Sequence, residues 1–147
     1  MKDAVGSSLL LNIVVIFTAV IILLFSGIIS YSKAYKIKNR IVEIIERYEK
    51  YDNTTISAIE DELKKVGYTI ATKDQIDAKC TKPNNLTGAK KSGYLYCVYE
   101  KDNVSSTKNG KAYEVVTFVR FDFPVIGQML EFPVQGETKV LGKVYDY

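Results

Sequence analysis

Residues 9–29 read LLLNIVVIFTAVIILLFSGII, and no charged side chain occurs between positions 4 and 32. At about 1.5 Å per residue, a helix over this run is about 31 Å long, which matches the hydrocarbon core of a bilayer. A helix apolar on every side is stable only in a deep protein core or in lipid. Lys2 and Asp3 precede the run, Lys33, Lys36, Lys38 and Arg40 follow it, and Tyr31 and Tyr35 sit where interfacial aromatics gather. A cleavable secretory signal has a shorter apolar region, about 7–15 residues, with its positive charge in front. The run therefore predicts one membrane-spanning helix, with a signal sequence or a buried core helix as the bland alternative. The expected division is a short leader or flank over 1–8, a transmembrane helix over 9–30, its amphipathic continuation over 31–50 and a globular α+β domain over 51–147.

Whole-chain averages hide this division. The 147 residues are 47% hydrophobic and 25% charged, with a formal net charge of +3, as in many soluble domains. That charge has an address: residues 31–50 hold six basic and three acidic side chains, whereas residues 51–147 hold 13 of each. Excess positive charge in the first turns beyond an apolar span suits anionic headgroups or an acidic neighbouring subunit. The absence of His removes imidazole bases, His-based triads and the usual zinc ligand sets, and two Cys are too few for a cysteine-only zinc site or a four-cysteine iron–sulfur cluster. Glu60, Asp61 and Glu62 are adjacent, so on a helix they point in different directions and read as a solvated face. Glu114 and Asp122 are strand acids with no identifiable partner. The glycines build no phosphate-cradling loop, and no basic stripe outside the stalk invites nucleic acid. No catalytic residues, cofactor, metal, small-molecule substrate or nucleic-acid partner is expected.

The helical pattern continues past the apolar run. Ile37, Ile41, Ile45 and Tyr48 form a stripe with Ile44 beside it, while Lys36, Asn39, Arg40, Glu43, Glu46, Arg47 and Lys50 take the opposite face. Glu43–Arg47 and Glu46–Lys50 are i,i+4 pairs in the favourable acid-first order. One helix over about 7–50 is the simplest reading. The stripe can pack on its own domain, on a partner, or on both along its length. A break at 51–53 precedes a second helix over about 56–66, with Ser57-x-x-Glu60 as a capping box or Thr54 or Thr55 as the cap. Ile56, Ile59, Leu63 and Val66 form its stripe, and Gly67 is placed to close it.

From Tyr68 the period becomes extended. Residues 68–72 are a short strand candidate, 78–92 are loop chemistry, and 93–100 (GYLYCVYE) predict a strand with two apolar faces. Asn109-Gly110 fits a hairpin tip, and residues 112–123 are the clearest strand, stopped by Pro124. Residues 132–134 and 138–145, joined around Gln135-Gly136-Glu137, suggest a closing hairpin. The expectation is an antiparallel sheet of four or five strands with one face open to the amphipathic half of the first helix. Cys80 and Cys97 flank the turn-rich stretch and suit a disulfide in an oxidising compartment, reduced structural thiols being the alternative.

A short polar start, an apolar helix running into an amphipathic half, an antiparallel sheet and one late cysteine pair together resemble the type IV pilins and pseudopilins. The likeness is greatest to the small Tad-type minor pseudopilins of bacteria. It is carried by Gly6-Ser7-Ser8 before the apolar run, by the continuous helix, and by Phe123-Pro124-Val125-Ile126-Gly127 with Phe132-Pro133-Val134-Gln135-Gly136-Glu137-Thr138-Lys139. The resemblance implies processing by a prepilin peptidase between Gly6 and Ser7. It also implies partners in other single-helix pilin-like subunits or an assembly platform. Where the family usually carries a glutamate, fifth from that cut, Leu11 stands here, which fits a minor, non-filament component or an unprocessed membrane protein better than a major pilin. Ser26 and Gly27 are small enough for close helix approach, and Asn12 suits a hydrogen bond to a neighbouring helix or a place near the headgroups.

Orientation is contested within the sequence. The basic residues after the span favour a cytoplasmic C-terminal side; the cysteine pair and the pilin-like layout favour an extracytoplasmic domain, which is the expectation adopted. Triplets for N-glycosylation begin at Asn53, Asn85 and Asn103. The competing functional reading is a membrane-tethered binding or sensing domain that exposes some of its 11 tyrosines on the sheet.

Overall fold

The computed structural model describes residues 2–87, 92–101, 110–122 and 129–142. The first helix, α1, runs over Lys2–Tyr48 without interruption, because no Pro occurs in it and its glycines, Gly6 and Gly27, are isolated. It begins before and ends slightly inside the expected 7–50, since Glu49 takes a left-handed φ of 53° and turns the chain. Beyond the turn, Asp52 caps the second helix, α2 (Asn53–Lys65), by accepting from the Thr55 amide at 3.0 Å. The capping box expected at Ser57 and Glu60 is not formed. Both lie inside α2, and Glu60 instead accepts from the Gly93 amide at 2.9 Å. The Lys50 ammonium, 2.7 Å from the Asp52 carboxylate, together with the Thr55 amide, holds that carboxyl well below the usual carboxylate range. Lys50 therefore does not pair with Glu46, whose carboxylate reaches Lys139 at 3.3 Å; Glu43–Arg47 forms as expected at 3.2 Å.

Gly67 closes α2 as its position foretold. With φ 61°, it lets the Tyr68 amide reach the Leu63 carbonyl and its own amide reach Lys64, the paired bonds of a Schellman end. The chain then forms a third helix, α3 (Lys73–Lys79), where extended and loop structure was expected. Its Thr72 hydroxyl accepts from the Gln75 amide while the Gln75 side chain accepts from the Thr72 amide, a reciprocal capping box. The expected strand at 68–72 shrinks to a single bridge, Ile70 to Tyr94, because the helix cap takes over at Thr72.

Three antiparallel strands follow, β1 (Tyr96–Lys101), β2 (Ala112–Asp122) and β3 (Met129–Glu137), in the order β1-β2-β3. The closing hairpin expected around Gln135-Gly136-Glu137 is absent: those residues pair with Val116, Val115 and Glu114 as the end of one continuous strand. Gly136 serves packing there, not a turn. A Cβ on it would lie 2.6 Å from Lys38 Cδ. Pro133 is tolerated because β3 is an edge strand. The tip expected at Asn109-Gly110, the stop at Pro124, the triplet at Asn103, the 123–127 part of the pilin-like motif and residues 143–145 lie wholly or partly outside the described residues.

Both sheet faces are covered, as the two apolar faces of β1 predict. Tyr96, Val98, Tyr113 and Val115 pack with Ile37, Ile41 and Ile45 of α1 and Ile56, Ile59 and Leu63 of α2. Leu95, Cys97, Tyr99 and Val116 pack with Ala71, Ile76 and Cys80 around α3. Cys80, which caps α3, and Cys97, in β1, are joined with their Cα atoms 5.5 Å apart. The result is α+β: a long N-terminal helix and a second helix on one side of a small antiparallel sheet, and a short, disulfide-tied helix on the other.

Candidate functional site: the exposed half of the first helix

Two halves of α1 have opposite surroundings. In the amphipathic half Ala34, Ile37, Ile41 and Ile45 are buried against the chain's own sheet and α2. The central Thr117 of β2 donates to the Ala34 carbonyl at 3.3 Å, and Val119 and Val134 pack around Ala34. In the apolar half nothing comparable happens. Leu9, Phe17, Leu24 and Ile29 are each at least 60% exposed, and the most apolar 18-residue stretch has none of its residues buried inside the chain. Exposed hydrocarbon on this scale is stable only when something other than water covers it. α1 is the one helix among the described residues that is long and apolar enough to cross a membrane.

The helix-packing residues proposed from sequence divide between these halves. Ile37, Ile41 and Ile45 belong to the domain's own core, whereas Tyr48 is exposed at the end of the stripe. Asn12 and Ser26 are exposed and Gly27 is half-buried. At about 3.6 residues per turn, Asn12, Ser30 and Tyr48 lie in register, with Ser26 and Gly27 close to that line. The face that holds the domain thus continues down the span through Asn12, Ala19, Ser26, Gly27 and Ser30, with the larger Ile16 and Leu23 among them. Thr18, the span's other hydroxyl on this stretch, bonds back to the Val14 carbonyl at 2.8 Å. Gly6 is exposed near the start of α1, with nothing within 4 Å of where its Cβ would be; Ser7 continues the same helix.

The domain itself offers little polar machinery. Glu114, without a partner in sequence reasoning, meets Lys82 at 2.6 Å across the sheet. Among the described residues no cluster of three or more His, Cys, Asp or Glu could hold a metal ion. Tyr51, Tyr68, Tyr96, Tyr99 and Tyr113 are buried, so most of the described tyrosines beyond α1 build the core instead of a recognition surface. The triplet at Asn85 is structural: its side chain donates to the Cys80 carbonyl and accepts from the Thr87 amide, both at 3.0 Å, beside the disulfide. Sequence reasoning missed Ala34 and Lys38 on the buried face of α1. Their signal was spacing, since Ala34 lies three and seven positions before Ile37 and Ile41. Comparison with protein-family models, with curated proteins and with solved structures finds no match to this chain.

Proposed function

We propose that this chain is a single-pass, membrane-anchored, pilin-like subunit, a minor component of a type IV pilus-like or Tad-like bacterial surface assembly, acting by helix–helix packing. One observation carries the reading. The domain consumes the amphipathic half of α1 for its own core and leaves the entire apolar half uncovered for lipid and for other single helices. The row containing Asn12, Ser26 and Gly27 supports close approach of a second helix, because small residues let backbones come together and a buried amide gains a partner. The Cys80–Cys97 bond supports an extracytoplasmic domain, since such bonds persist in oxidising compartments. On this reading, partners bind along residues 9–31, and not along the isoleucine stripe.

Photo-crosslinking groups placed singly along the full-length chain in native membranes test this. Adducts to other single-helix proteins from positions in 9–31, with none from Ile41 or Ile45, are the expected pattern. A chain that yields only lipid adducts from every position in the span is a solitary anchor, and the assembly reading then fails.

A further inference from the structure

α2 returns toward the membrane end of α1 and forms a cleft with it that the linear sequence does not announce. The cleft, about 440 Å³, is lined by Lys33, Lys36, Ile37 and Arg40 from α1 and by Glu62, Leu63 and Val66 from α2. Its floor is apolar, and Val66 remains 41% exposed at the end of α2. Its rim is basic. Arg40 has a long contact to Glu43 at 3.4 Å, and the acidic Glu62 is matched by Lys65 at 3.1 Å. Lys33 and Lys36 have no acidic partner among the described residues.

Height above the bilayer identifies the occupant. Lys33 and Lys36 follow Ile29 by four and seven residues, so they stand about 6 and 10 Å beyond the hydrocarbon boundary along the helix. The headgroup layer on each side is about 5–8 Å thick, and flexible lysine stems reach down into it. A basic rim at that level, beside the exposed Val66, matches one chemistry, a phosphate-bearing lipid headgroup. We propose that the α1–α2 cleft binds the headgroup of an anionic phospholipid of the bilayer that α1 spans, with Lys33 and Lys36 on the phosphate and the exposed Val66 beside the carbons of the headgroup. This rests on the membrane reading above. It further assigns the domain a seat on the membrane surface, so that the domain is held against the bilayer instead of swinging on its stalk.

The test uses the full-length chain in phosphatidylcholine vesicles containing spin-labelled phosphatidylglycerol or spin-labelled phosphatidylcholine, and reads the ratio of their association constants at the protein. Carbonate extraction comes first; a chain washed out of the vesicles refutes the membrane reading, separately from this inference. For the integrated wild-type chain, phosphatidylglycerol is preferred. Lys33→Gln with Lys36→Gln lowers that preference by about thirtyfold, taking about 1 kcal/mol for each basic residue near an anionic surface. Both side chains are exposed, and an intact Cys80–Cys97 bond reports that the variant has folded. Arg47→Gln with Lys139→Gln removes equal charge about 20 Å further from the bilayer, beyond the Debye length of about 8 Å, and leaves the preference unchanged. Equal loss in both variants means diffuse attraction, and no loss in the first means an empty cleft; either result overturns the proposal. So does dissociation of an oligomer by Lys33→Gln and Lys36→Gln without a change in lipid preference, which would make an acidic protein the occupant.

Discussion

Thr117 donates its hydroxyl to the Ala34 carbonyl at 3.3 Å, joining the middle of the central strand to α1 just beyond the apolar run, across 83 positions of sequence. The contact exists because Ala34 is small: its 4% exposed methyl sits under Val119 and Val134, and β2 lies directly on the helix there. Ala34→Leu pushes the helix away from the sheet just beyond the apolar run. The expected cost is about 1–3 kcal/mol, typical of an overpacked core. Denaturant unfolding of the full chain in detergent micelles checks it; a midpoint equal to wild type would mean that α1 and β2 are not in contact at Ala34.

Tyr68 holds three elements together. Its hydroxyl donates to the Leu95 carbonyl at 2.7 Å and accepts from the Phe118 amide at 3.0 Å. Tyr68→Phe leaves both backbone groups without that partner, at an expected cost of about 1–3 kcal/mol. The same unfolding measurement reads it.

Burial also makes the fold alkali-sensitive. It pushes the Tyr68 phenol from 10.0 up to about 12, and burial is also the main cause of the rise in Tyr51 and Tyr96, whose hydroxyls meet at 3.1 Å. Folded-state values raised above the unfolded one mean that the folded chain holds these protons longer, so their contribution is complete below about pH 10. For Tyr68 it is lost as the pH rises from about 10 to about 12. Stability plotted against pH is expected to be level from neutrality to about pH 10 as far as these groups are concerned, then to fall steeply. Tyrosinate absorbance should rise together with loss of structure, and a smooth titration of all tyrosines near pH 10 in a still-folded chain would contradict the packing.

The bridge between Cys80 and Cys97 closes a loop spanning 17 positions, and both residues are at most 4% exposed. Cys80→Ala with Cys97→Ala is expected to lower stability by about 3 kcal/mol through loop-closure entropy. In the native chain under denaturing conditions, maleimide should label neither cysteine without reductant and both after reduction. Full labelling without reductant would place the domain in a reducing compartment and count against the proposed extracytoplasmic orientation.

Gly136 is a packing glycine. Val at this position favours the strand, yet its Cβ meets the Lys38 side chain at 2.6–3.0 Å. Gly136→Val is expected to cost about 1 kcal/mol, with Lys38 displaced into solvent. The cost should largely disappear in a Lys38→Ala background, which a double-mutant cycle measures directly.

Local patterns carried much of this in the sequence. The length of α1 followed from an unbroken apolar run joined to an isoleucine stripe, the end of α2 from Gly67, and the two-faced β1 from strict alternation between Tyr96, Val98 and Leu95, Cys97, Tyr99. Errors came where a residue type has two uses. Glycine at 136 reads as a turn when it is an opening for Lys38, and Ser57-x-x-Glu60 reads as a cap when Asp52, one turn earlier, already serves. α3 was missed although Thr72-x-x-Gln75 is a recognisable capping box, because its single buried residue, Ile76, gives too short a stripe to register as helix.

By itself the sequence determined that residues 9–29 need lipid or a partner, since no arrangement of 21 such side chains in water is stable without cover. Only the tertiary structure decided which half of α1 stays uncovered. Burial is a property of what lies opposite a residue, and the sheet that covers Ala34, Ile37, Ile41 and Ile45 is built from positions about 50 to 100 residues away in the chain. The same long-range return places Leu63 and Val66 beside Lys33 and Lys36, turning a row of charges into a cleft.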